Sequence, residues 1–125
     1  NHPNPLMNKR LRLESVPNAM DQARVSTENM LGDDKVYAAI PWFWSDQYEL
    51  KLQMVGFSAD GDSQVLRGDM ENHQFAIFYL KDGKVVAADA VNSPKEFMLC
   101  KQLVGKPADP AQLADPETDL KSLLA

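Results

Sequence analysis

The chain has 125 residues, 44% hydrophobic and 25% charged, which suits one domain with its own hydrophobic core and excludes a disordered segment. Eighteen acidic against thirteen basic residues give a net charge of -5, and no Lys or Arg run forms the electrostatic footprint of a nucleic-acid binder. A single cysteine excludes an internal disulfide, and with no apolar run near the roughly 20 residues that span a bilayer and no signal pattern, a cytoplasmic location is the default expectation.

In chain order, Asn1-His2-Pro3-Asn4-Pro5 reads as the interior of a loop, and without an initiating methionine it points to a fragment or an excised domain. From Val16 to Leu31 the residues Val16, Ala19, Met20, Ala23, Thr27, Met30 and Leu31 recur at three- and four-residue spacing, which predicts a helix with one buried face. Ser15 is placed to cap it, Pro17 fits the first turn where a missing N–H costs nothing, and Gly32 ends it. Asp21 is spaced to pair with Arg24 on the outer face.

Glu49 to Phe57 alternates, with Leu50, Leu52 and Met54 on one side and Lys51, Gln53 and Val55 on the other, as in a half-buried strand. A second strand is predicted from Gln64 to Gly68, then a hairpin from Gln74 to Val91 with Asp82-Gly83 at its tip. Ser93-Pro94 starts a helix with a capping serine, Gly105 and Pro107 stop it, and Phe97, Cys100, Leu103 and Val104 point inward. Cys100 there acts as a small hydrophobe. Asp109-Pro110 and Asp115-Pro116 repeat one cap-then-proline device, predicting two short helical turns that end in Leu120, Leu123 and Leu124. The expected class is α+β: an antiparallel sheet of about four to five strands with flanking helices, preceded by a loop and a helix.

Both tryptophans fall in Pro41-Trp42-Phe43-Trp44-Ser45-Asp46-Gln47-Tyr48, an aromatic loop suited to a flat ligand or a partner protein; the competing reading is an indole that fills the core, and Trp42 is assigned there. The helix beginning near Val16 favours negative charge at its tip by about 0.3 to 1 kcal/mol. His2 and His73 stand too far from other ligands for a metal site, and no nucleophile is placed with a base, so neither a metal nor a catalytic residue is expected. Asp60, Asp62, Asp69 and Glu71 lack calcium-loop spacing. No Gly-x-Gly-x-x-Gly follows a strand, so these residues build no dinucleotide fold alone.

Three blocks in this order, the opening Asn1 to Pro5, Glu14-Ser15-Val16-Pro17-Asn18-Ala19-Met20-Asp21-Gln22-Ala23-Arg24 and the aromatic loop, carry a joint resemblance with Leu113-Ala114-Asp115-Pro116 and Asp119-Leu120-Lys121. Over nearly the whole chain they resemble the C-terminal part of the FAD-dependent NADH:ferredoxin or rubredoxin reductases that serve oxygenases. The resemblance implies two pieces: residues 1–35 as the last loop and helix of the FAD domain, and 36–125 as the reductase C-terminal domain. It also implies an acid, just upstream of Asn1, that binds the flavin's ribityl chain.

On this resemblance Ser15 and Val16 sit against the flavin's pyrimidine edge, and Trp44 lies between the isoalloxazine and the docked ferredoxin, serving both. Arg24 faces the acidic ferredoxin, and Lys9, Arg10 and Arg12 either extend that patch or form a solvated loop. The implied enzyme passes electrons from NADH through FAD to a [2Fe–2S] ferredoxin or a rubredoxin, with the missing FAD and NAD domains as partners and the NADH site outside this chain. Alone, the chain is expected to show no turnover and little FAD affinity, and its exposed helix face invites a fragment dimer. Two alternatives remain: a reductase with a non-ferredoxin acceptor, and a free-standing binding or dimerisation module that uses the Trp42 to Tyr48 loop.

Overall fold

The computed structural model describes residues 1–125, which divide into two units, Asn1–Phe43 and Trp44–Ala125. In the first unit the opening segment is not merely a loop. Strands β1 (His2–Asn4) and β2 (Lys9–Leu11) form an antiparallel ribbon with His2 opposite Leu11. Its organiser is Asn4, 2% exposed. The Asn4 Oδ1 accepts from the Leu6 and Met7 N–H groups, 3.1 Å each, and its Nδ2 donates to the Ala39 carbonyl at 2.8 Å. A side chain that replaces backbone partners in this way leaves no apolar alternation to read.

Helix α1 spans Val16–Met30, with Ser15 in extended backbone and its Oγ accepting from the Asn18 N–H at 3.4 Å. Gly32, at φ +109°, follows the C-cap Leu31, so both ends match the sequence reading. The buried face does not. Val16, Ala19, Met20, Ala23, Thr27, Met30 and Leu31 are all exposed, Leu31 to 85%, whereas Pro17 is buried and Asn18, Asp21, Gln22, Val25 and Glu28 are half-buried. The inward row is polar because its partners are local. The Asn18 Nδ2 donates to the Leu13 carbonyl at 2.9 Å, and its Oδ1 accepts from Gln22 Nε2 at 2.8 Å and the Tyr37 hydroxyl at 3.2 Å. A polar group satisfied this way is buried without the usual penalty.

A five-stranded sheet follows, of β3 (Trp42–Gln47), whose first two residues close the first unit, β4 (Leu50–Gly56), β5 (Ser63–Asp69), β6 (Gln74–Lys81) and β7 (Lys84–Val91), in the antiparallel order β3-β4-β7-β6-β5. The spans of β4 to β7 follow the sequence reading, and Asp82 and Gly83, at φ +51° and +72°, make the predicted hairpin tip. Strand β3 corrects the aromatic loop. Trp and Phe suit a pleated surface, but the two-residue connection Tyr48-Glu49 puts a tyrosine at φ +54°, where the usual Asn-Gly or Asp-Gly signal is absent. Gly56 closes β4 at φ +71°, and a Cβ there would lie 2.2 Å from the Val86 carbonyl oxygen.

Helices α2 (Pro94–Leu103) and α3 (Pro110–Ala114) and a 3-10 turn, Leu120–Leu124, follow the last strand. Ser93 does not cap α2: its Oγ donates to the Val91 carbonyl at 3.0 Å, since the backbone leaves the extended conformation that capping needs. Asp109 caps α3 by accepting from the Ala111 N–H. Asp115 instead accepts from the Glu117 N–H and the Thr118 hydroxyl in a turn, and Asp119 caps the last helical turn.

Against these helices the sheet presents Val55, Ala76, Phe78, Leu80, Ala88 and Ala90, which meet Phe97, Cys100, Leu103, Leu113 and Leu120. The three alanines bring α2 close to the strands. Each fully buried Phe or Leu contributes about 1.5–3 kcal/mol. Val104, expected inward, is only half-buried. The register sets the opposite face as well: Met54 and Ile77 both pair with Asp89, and Leu52 and Phe75 with Val91. Leu52 and Met54 therefore lie on the face away from the helices, and Val55 is the core residue of β4.

One charge lies in the core. Arg67, 5% exposed, donates from Nε to Glu96 Oε1 at 2.8 Å, from Nη1 to the Leu113 carbonyl at 3.4 Å and to that of Asp115, and from Nη2 to the carbonyls of Pro116 at 3.1 Å and Thr118 at 3.0 Å. All five guanidinium N–H groups are matched. On the far face, the Tyr79 hydroxyl donates to Asp89 Oδ2 at 2.9 Å. Burial raises the Asp89 carboxyl above the usual range against the opposing effect of that bond, and burial, with Asp89 beside it, pushes Tyr79 up to about 12.

Arg67→Met is expected to destabilise the chain by about 3–5 kcal/mol, because Glu96 and four carbonyls lose their donor, and Arg67→Lys, with three donors, to recover only part of it. Urea unfolding measures both; a fully stable Met variant would refute the assignment. Since the folded pKa of Asp89 lies above the unfolded value near ~3.9, its ionised form costs stability once pH rises through the folded pKa. Asp89→Asn should therefore raise Tm at neutral pH, with the gain shrinking as pH falls toward about 4. A gain that grows in acid would contradict this.

Candidate functional site

At the N-terminus of α1 the peptide groups are arranged around one opening. The Asn18 N–H is taken by Ser15 Oγ, the Ala19 N–H bonds the Ser15 carbonyl at 3.1 Å, and Pro17 has none, which leaves the Val16 N–H at the tip. Val16 is 56% exposed. No acid stands in the first turn, and the preceding Glu14 is drawn to Arg12 at 2.8 Å. The positive end of a fifteen-residue helix thus has no acid in its first turn, a setting that favours negative charge nearby.

Beside this tip lies a narrow cleft of about 10 Å³, lined by Leu13, Ser15, Pro17, Tyr37 and Trp42 among others. Trp42 is half-buried and borders the same cleft as Ser15, a placement that its assignment to the core missed.

Trp44 opens the second unit, half-buried on an edge strand of the sheet. Further along the same hairpin Asp46 and Gln47 are exposed, Asp46 pairs with Lys51 at 3.0 Å, and Tyr48 stands fully exposed at the tip. Ser15, Val16 and Arg24 all belong to the first unit.

Arg24 lies on α1 with its side chain 64% exposed, 3.5 Å from Asp21 and 3.8 Å from Glu28. Exposed pairs of this kind are worth at most about 1 kcal/mol. Arg12 is held by Glu14, and Arg10 donates to the side chain and carbonyl of Asn1.

Elsewhere the chain offers little chemistry. Burial, with Glu96 nearby, pushes the Cys100 thiol up to about 12, so it stays protonated. No group of three or more His, Cys, Asp or Glu is placed to hold a metal ion, and no helix is long and apolar enough to cross a membrane. A groove of about 840 Å³ in the second unit runs past Leu66, Asp69, Asn92, Lys95, Glu96 and Pro116, and none of the site residues singled out from the sequence lines it.

The chain is 45% identical over 94% of its length to the 5,5'-dehydrodivanillate O-demethylase ferredoxin reductase subunit of a Sphingobium species, of which it covers 29%. It is 42% identical over 96% of its length to putidaredoxin reductase of Pseudomonas putida, again covering 29%. The ferredoxin reductase for the CYP199A2 system from Rhodopseudomonas palustris superposes with a TM-score of 0.90 at 38% identity, over 98% of this chain and 31% of that one. The reductase in a covalent putidaredoxin reductase–putidaredoxin complex gives 0.87 at 41% identity, over 97% and 30%. The chain thus spans about three tenths of the length of the relatives it matches. Residues 42–124, from the first tryptophan of β3 to the last helical turn, match the family described as reductase C-terminal, and the chain belongs to that family.

Proposed function

We propose that this chain is the C-terminal portion of an FAD-containing NADH:ferredoxin reductase of an oxygenase system, and that its own residues position the flavin edge and the electron acceptor. The observation that carries this reading is the match along nearly the whole chain to reductases named for ferredoxin partners, joined to an uncompensated helix tip at the residues the resemblance assigns to flavin. Residues 1–35 are the end of the FAD domain and 36–125 the C-terminal domain.

FAD, when bound, supplies the conversion between the electron pair of a hydride and the single electrons an iron–sulfur acceptor takes. The Val16 N–H and the helix end behind it stabilise negative charge on the pyrimidine edge, and Ser15 fixes the first turn that presents that N–H. Trp44 shields the ring from water and meets the acceptor, which is a [2Fe–2S] ferredoxin or a rubredoxin. Arg24 exchanges Asp21 and Glu28 for carboxylates of an acidic partner, forming charge-assisted bonds that fix orientation. NADH and the adenine half of FAD bind outside these residues, and the protein works in the cytoplasm.

The full-length gene product should show a flavin absorption spectrum that bleaches on anaerobic addition of NADH, whereas the 125-residue chain should neither turn over nor quench added FAD fluorescence. A colourless, unresponsive full-length protein would favour the free-standing binding module. In the full-length enzyme Arg24→Glu should lower ferredoxin reduction about tenfold and leave dye reduction by NADH unchanged. Unchanged ferredoxin kinetics would remove Arg24 from the docking surface.

A further inference from the structure

Helix α1 opens with Ser15-Val16-Pro17-Asn18, in which Ser15 is the cap and Asn18 holds the third helical position. After a capping serine that position commonly carries Glu or Gln, and a carboxylate there gains from the positive end of the helix. Here it carries a neutral amide, and the amide is engaged away from the cap. Its Nδ2 donates to the Leu13 carbonyl at 2.9 Å, which can only accept, so Oδ1 faces the other way and takes Gln22 Nε2 at 2.8 Å and the Tyr37 hydroxyl at 3.2 Å. Burial, with Asp21 nearby, raises Tyr37 above its usual range, so the hydroxyl keeps the proton it donates. Partners before the helix, one turn along it and after it thus hold Asn18 in one orientation at the cleft that Ser15 and Trp42 also line.

The carboxylates nearest to this turn in the chain are paired with arginines: Glu14 with Arg12 at 2.8 Å, and Asp21, beyond the first turn, with Arg24 at 3.5 Å. We propose that Asn18 is a positioning residue that sets the reduction potential of the flavin, because an oriented, uncharged group in the third position of α1 leaves the positive end of the helix to the reduced ring. The inference rests on the reading of the α1 tip as the flavin-facing end. Reduction places negative charge on the pyrimidine edge, and a carboxylate in the first turn would both draw on the same helix end and repel that charge. The neutral amide therefore makes the flavin easier to reduce. The cap itself does not depend on this side chain, since the main-chain N–H of Asn18 is what Ser15 Oγ accepts. Charge and local structure are thus separable at one position.

A redox titration of the full-length gene product against a reference dye, with the flavin followed by its absorption spectrum, tests this. At the poise where wild-type flavin is half reduced, Asn18→Asp should lower the ratio of reduced to oxidised flavin about tenfold, which is ~30 mV for a two-electron couple. Asn18→Ala loses the Leu13 bond as well but adds no charge, and should leave the ratio unchanged. Urea unfolding of the 125-residue chain should be easier for both variants. A purely structural role would show that loss of stability in both and move the ratio in neither. Ser15→Asp caps the helix as serine does, keeps every Asn18 bond and brings the same charge to the tip. It should lower the ratio as Asn18→Asp does, and it carries the test if Asn18→Asp fails to fold. An unmoved ratio in either acidic variant with flavin bound, or an equal fall in Asn18→Ala, would overturn the proposal. A wild-type protein without a flavin spectrum would sink the reductase reading and this inference together, whereas bound flavin with an unmoved ratio sinks the inference alone.

Discussion

The second unit depends on a single guanidinium. Arg67 reaches from β5, an edge strand, into the layer between sheet and helices and bonds the carbonyls of Leu113, Asp115, Pro116 and Thr118 together with the Glu96 carboxylate. The tail from residue 113 to 118 has too little regular structure to satisfy its own carbonyls, so the arginine takes the place of a partner strand. A buried cation is costly unless every N–H has an acceptor and a counter-charge is near, and here both conditions are met. The geometry works in both directions: the tail neutralises the arginine, and the arginine holds the tail so that Leu113 and Leu120 seat in the core.

A comparable economy governs the first unit through Asn4 and Asn18. Each amide ties separate segments together, Asn4 to Ala39 and Asn18 to Tyr37, and Asn18 also bonds the nearby Leu13 carbonyl. Because these polar residues take the inner side, the apolar row of α1 is left outward and its N-terminal tip stays accessible. The inverted helix and the open face of the sheet have one physical origin: within each unit, polar networks and helices satisfy one side and leave the other apolar.

On the proposed reading the two features would divide the labour: a helix end that offers N–H groups acts at short range, whereas an exposed, weakly paired arginine acts on encounter. The one thiol, that of Cys100, is buried in the core.

What the sequence determined by itself was local. Ser15 and Gly32 bounded a helix, Asp82-Gly83 closed a hairpin, alternation marked β4, and proline after a capping acid started α3, because each is decided by the backbone preferences of a few neighbouring residues. The order of the motif blocks also carried the family, since spacing along a chain survives without coordinates. Only tertiary structure decided which face of α1 and of β4 is buried, that Trp42 to Gln47 is a strand, that Ser93 bonds backward, and that Arg67 is a core residue. Periodicity reports that two faces differ but not which one meets a partner. That choice depends on hydrogen bonds between residues far apart in sequence, such as Arg67 to Thr118 and Asn4 to Ala39, which no local pattern encodes.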